Sequence, residues 1–143
     1  MLKKRLILPL ALVALILAAC GGDDDDAAPA ATTAAPAAAS GIDAQAEEFK
    51  FTPSSWNVAS GATVTVNLTN AGALEHNLVV VVAGKTVTDP SQLSDGDILI
   101  QVDAQAGQTG TGTFTAPPAG SYQVICSIPG HLPAGMEADL TVS

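Results

Sequence analysis

The sequence predicts an all-β domain, a Greek-key β-sandwich or barrel of about seven to eight strands, over residues 42–143. Three observations carry that expectation. Apolar and polar residues alternate strictly in "ATVTVNLTN", residues 62–70, the period of two that a half-buried strand requires. Short β-branched runs recur along the chain, with Gly, Pro, Asn and Asp clustered between them. No stretch shows the spacing of an amphipathic helix.

In chain order, "EEFKF" (Glu47 to Phe51) reads as an early strand, with "WNVAS" after it. Val64, Val66 and Leu68 then mark the inward face of 62–70. "HNLVVVVA", from His76, is a continuous β-branched run, consistent with a central strand. "DPSQLSD" suits a single turn. "DILIQVDA" from Asp97, "GTFTA" from Gly112, "SYQVIC" from Ser121 and "EADLTVS" from Glu137 complete the set.

The first 41 residues are read separately. Lys3, Lys4 and Arg5 precede an apolar run from Leu6 to Ala19, the pattern of an export signal over residues 1–20. The run is shorter than the ~20 residues a membrane-spanning helix needs. It closes on Leu17-Ala18-Ala19-Cys20, which resembles the bacterial lipoprotein signal, with Cys20 as the lipidated residue; plain secretory cleavage is the alternative. Residues 21–41, with four consecutive aspartates and an Ala/Pro/Thr repeat, read as a disordered tether. The folded part is therefore expected outside the cytoplasm, anchored to a membrane by its N-terminus. Beyond the signal only Lys50 and Lys85 are basic, against 14 acidic residues. That balance argues against nucleic acid and against docking to anionic lipid.

Residues 42–143 hold one cysteine, two histidines and one methionine. Three of these four lie in "CSIPGHLPAGM", at Cys126, His131 and Met136, five positions apart each time. On a helix that spacing would send the side chains in different directions. In a loop turned at Pro129-Gly130 and again at Pro133-Ala134-Gly135 all three can converge on one point. His76, which opens a strand after the turn-rich "NAGALE", adds a fourth ligand if the two strands are neighbours. Singly, each residue has an ordinary explanation: a buried thiol, a polar strand end, a surface imidazole, a core thioether. A disulfide between Cys20 and Cys126 is a further alternative in an oxidising compartment. None of these explains why the domain's whole supply falls in two turn-bounded places. Two imidazoles, a thiolate and a thioether make a soft nitrogen–sulfur site, the donor set of a blue-copper electron-transfer centre. Zinc gains little from a thioether, and calcium and magnesium want oxygen.

With "EHNLVV" around His76 and "GSYQVICSIPGHLPAGMEADLTV" from Gly120, nearly all of residues 42–143 resembles the cupredoxins, the plastocyanin/azurin family of small blue-copper proteins. The ligand-loop spacing is similar to that of rusticyanin, and the lipid-anchored layout to that of auracyanin. The resemblance implies one copper ion with His76, Cys126 and His131 as equatorial ligands and Met136 as the axial one. It also implies that Asn77 hydrogen-bonds the thiolate and ties the two ligand segments together.

The expected function is one-electron transfer between extracytoplasmic redox partners, such as cytochromes or a terminal oxidase, by a monomer. The alternative is a copper storage or delivery protein. An enzyme is not expected, because both histidines are used and none is left for a substrate-binding copper.

Overall fold

The computed structural model describes residues 40–143. The export-signal and tether readings, Cys20 included, lie outside the described residues apart from the tether's last two positions. Among the described residues nine strands form two sheets. They are β1 (Ser40–Glu47), β2 (Lys50–Thr52), β3 (Ser55–Val58), β4 (Thr63–Asn70), β5 (His76–Val81), β6 (Ile98–Ala104), β7 (Thr109–Thr115), β8 (Gly120–Ile125) and β9 (Glu137–Val142). One sheet runs β2-β1-β4-β7 and the other β3-β9-β8-β5-β6, so the chain crosses between layers repeatedly, as a Greek-key sandwich does. Among the described residues no helix is long and apolar enough to cross a membrane.

The first strand differs from expectation. It begins at Ser40, and Ile42, Ala44 and Ala46 point into the core while Gly41, Asp43 and Gln45 face out. The expected strand over Glu47–Phe51 is interrupted: Glu48 and Phe49 form the turn of a hairpin joining β1 to β2. β1 pairs parallel with β4, and β3 parallel with β9. Within "DPSQLSD" the expected turn is a 3-10 turn at Pro90–Gln92, and a second, Asp95–Asp97, follows it.

β5 is buried at every position. Leu78 and Val80 join the main core between the sheets. Val79 and Val81 lie on the opposite face in a second cluster with Val87, Ile125 and Leu132, with Leu93 and Ile98 packed against it. The long connection after β5 therefore covers the face that would otherwise meet water, which is why the sequence shows no alternation here. β7 is the contrast: in "TGTGTFT" a Cβ at Gly112 would sit 2.8 Å from a Val102 methyl and 3.0 Å from Ile100. Glycine there lets the edge of one sheet lie close on β6 of the other.

Candidate metal centre

The period of two decides which side chains meet. In β8, Tyr122 and Val124 face the main core, and Cys126, two positions further, continues that face. In β5, Leu78 and Val80 face the same core and His76 stands two positions before Leu78. β5 and β8 are antiparallel neighbours, with Val79 opposite Ile125. Continuing that register puts Asn77 opposite Ser127 and Leu78 opposite Cys126, so His76, two positions before Leu78 on the same face, is the diagonal neighbour of Cys126 at one end of the sandwich.

The loop after Cys126 folds back by its own hydrogen bonds. The His131 amide donates to the Ile128 carbonyl (3.0 Å), the Met136 amide to the His131 carbonyl (3.1 Å), and the Cys126 amide to the Met136 carbonyl (3.1 Å). Gly130 and Gly135 make the two reversals with φ of 90° and 101°, a region where a Cβ would be strained. His131 is thereby turned inward, only 6% exposed, and Met136 is fully buried in the same core cluster as Cys126.

The three candidate donor atoms of His76, Cys126 and His131 lie within 4.8 Å of one another, and all three residues are buried. His76 Nδ1 is 3.2 Å from His131 Nδ1, and Cys126 Sγ is 3.3 Å from His131 Nδ1. Separations of that size are what metal bonds of ~2.0 Å to nitrogen and ~2.3 Å to sulfur subtend when spread by roughly 100°. The donor set and its spacing thus fit a small, soft ion. The backbone bonds that close the loop bring Met136 to the same end of the sandwich.

The surroundings of the sulfur are specific. The Asn77 amide donates to Cys126 Sγ at 3.5 Å, and the Ile128 amide also points at it. The Asn77 side chain spans the two ligand segments: its Oδ1 accepts from the Ser127 amide (2.7 Å) and its Nδ2 donates to Ser127 Oγ (2.9 Å). Burial pushes the Cys126 thiol up from its ordinary pKa, an effect the two amides oppose, while Asp103 and Glu75 add to it. Burial likewise pushes the His131 imidazole down, with His76 adding to the effect. The metal-free site therefore favours neutral groups, and a bound cation would displace the thiol proton.

The hairpin turn before β2, within the stretch expected as a strand, also touches the site. The Phe49 ring meets His131 edge-on, with centroids 4.9 Å apart. The Glu48 carboxylate lies 3.7 Å from His76 Nε2 and accepts from the amides of Ala73 (2.7 Å) and Leu74 (2.9 Å). Those amides, with its own, hold Glu48 below the usual carboxylate range. The nearest sequence signal was the "EF" pair between two short apolar-facing segments, a pattern that reads equally well as a solvated strand.

A two-sheet sandwich that gathers two imidazoles and a thiol at one end defines the cupredoxin class, the blue-copper proteins. Within it, the chain belongs to the sulfocyanin (SoxE) domain family, which matches residues 51–143. Auracyanin A of Chloroflexus aurantiacus is 32% identical over 118 residues, covering 71% of this chain and 72% of that one. Its solved structure, described as that of a "blue" copper protein, matches with a TM-score of 0.62 at 30% identity, over 72% of this chain and 98% of the other. The dithionite-reduced auracyanin of Roseiflexus castenholzii matches with a TM-score of 0.65 at 26% identity, covering 73% of this chain and 98% of that one. Sulfocyanin of Sulfolobus acidocaldarius is 33% identical over 97 residues, covering 60% of this chain and 49% of the relative's length.

Proposed function

We propose that this chain is a one-electron carrier in which His76, Cys126 and His131 would hold a single copper ion, with Met136 as a further, weaker ligand. It shuttles electrons between extracytoplasmic redox partners, such as cytochromes or a terminal oxidase. The observation that carries this reading is the buried convergence of two imidazole Nδ1 atoms and one thiol at 3.2–3.3 Å. Membership of the sulfocyanin domain family and the similarity to auracyanin support it.

When bound, copper supplies a couple that takes up and releases one electron. The chain's own residues do the rest. Two backbone amides directed at Cys126 Sγ offset negative charge on the sulfur and favour its thiolate form. His76, Cys126 and His131 are themselves buried, which keeps water away and strengthens those contacts. Asn77 locks the two ligand segments together, so the donor positions change little when the charge of the site changes. His131, on a loop whose Pro129, Pro133 and Ala134 are exposed, is the donor through which electrons would pass to a partner at the surface. The N-terminal pattern ending in Cys20 supports delivery across a membrane and a lipid anchor, with residues 21–41 as the tether. The carrier acts as a monomer.

The test is to add Cu(II) to the chain freed of residues 1–20 and record its visible spectrum and electrode response. An intense blue or green thiolate-to-copper band, lost in Cys126→Ser, with reversible cycling, is the expected result. A colourless protein that binds one copper and yields Cu(I) rapidly to a chelator would instead support storage or delivery.

A further inference from the structure

His76 uses its two ring nitrogens differently. Nδ1 belongs to the donor cluster, whereas Nε2 points away from it, is completely buried, and has no hydrogen-bond partner among the described residues. Buried polar atoms rarely stay unpaired, and a metal-ligating histidine almost always donates its other N–H to an acceptor. The group facing Nε2 is the Glu48 carboxylate, with Oε1 at 3.7 Å. That gap is beyond hydrogen-bonding range, but a shift of ~0.8 Å brings it to the length of a charge-assisted bond.

Glu48 is held where that shift is short. Its Oε1 accepts the amides of Ala73 and Leu74, in the segment that leads directly into His76. Gly72 leaves the room: a Cβ there would lie 2.5 Å from Glu48 Oε1. The carboxylate thus latches the β1–β2 hairpin turn to the entrance of β5, beside the outer nitrogen of the imidazole.

We propose that Glu48 is the positioning residue of His76: its carboxylate takes the Nε2 proton in a hydrogen bond, fixing the tautomer that leaves Nδ1 free for the metal and lowering the reduction potential of the site. The effect on potential rests on the electron-carrier reading; the tautomer does not. The sign follows from Coulomb's law, since a negative charge close by favours the more positive, oxidised state. Because Glu48 is partly exposed, solvent moderates the size of the effect.

Two measurements on the chain freed of residues 1–20 test this. In the metal-free protein, imidazole ¹⁵N shifts report the tautomer directly, without any variant. The expected form of His76 carries its proton on Nε2, and Glu48→Ala weakens that preference. In the copper-loaded protein, Glu48→Gln keeps an oxygen for the two amides but loses the charge. It should raise the potential by up to about tenfold in the reduction equilibrium, ~59 mV for one electron. Glu48→Ala should raise it at least as far, and Gly72→Ala, which pushes the carboxylate aside, should move it the same way. An Nδ1-protonated His76 in the wild type overturns the inference, as does a potential unmoved in both Glu48 variants. An Nε2-protonated His76 in a protein that gives no charge-transfer band leaves the positioning role standing and sinks the carrier reading instead.

Discussion

The two halves of the metal centre reach one point by different means. His76 is the first residue of β5, paired with Ala104 of β6 and followed by a strand buried on both faces. Cys126, His131 and Met136 belong to a single connection that is closed by its own backbone bonds and reversed at two glycines. One proposed ligand is fixed by the sheet, and the others by a loop that the sheet merely begins and ends. The difference teaches where change is tolerated. Displacing His76 requires disturbing the core, whereas the loop depends on local geometry. Asn77 is the joint between them.

The largest expected effect tests the sheet-borne half. Leu78 is fully buried two positions from His76 on the same face, so Leu78→Ala should cost about 2–5 kcal/mol of unfolding free energy. Denaturant titration of the metal-free protein measures this, and a loss below ~1 kcal/mol would mean that β5 is not the rigid half. Asn77→Ala comes next. It strands the Ser127 amide and hydroxyl, at about 1–3 kcal/mol, and should speed copper loss severalfold by loosening the two halves. Stopped-flow transfer to a chelator would show it, and an unchanged rate would break the idea of a joint.

The smallest effect concerns the far end of β5, remote from the ligands. There the Lys85 ammonium and the Ser94 hydroxyl and amide hold Asp97 down at about 2, from an ordinary 3.8. A carboxylate depressed on folding adds stability above its unfolded value, and that stability is lost as pH falls through its folded value. Unfolding free energy should therefore decline between pH ~4 and ~2, and less steeply in Asp97→Asn. Acid titration monitored by far-UV circular dichroism checks this; identical slopes in both proteins would remove Asp97 from the account.

Much of this was legible in the sequence, for identifiable reasons. Val64, Val66 and Leu68 announced β4 because its outward residues are polar. The unbroken run in β5 announced a central strand, and the loop that sets Cys126 five positions before His131 announced two donors that meet, here at 3.3 Å. β1 was hidden because its inward residues are mostly alanines, continuous in composition with the tether before them. The parallel pairings of β1 with β4 and β3 with β9 depend on contacts far apart in the chain, which no local pattern encodes. Glu48 escaped notice because an acidic residue beside a strand looks solvated; only its nearness to His76, 28 positions later, gives it meaning.

The bond from the Cys126 amide to the Met136 carbonyl has a wider consequence. It makes residues 127–135 a cassette whose two ends are pinned side by side, independent of what lies between. Lengthening such a segment is cheap, at only ~0.6 kcal/mol for each doubling of a flexible loop. Redox chemistry can thus diversify within this cassette while the surrounding sandwich stays the same.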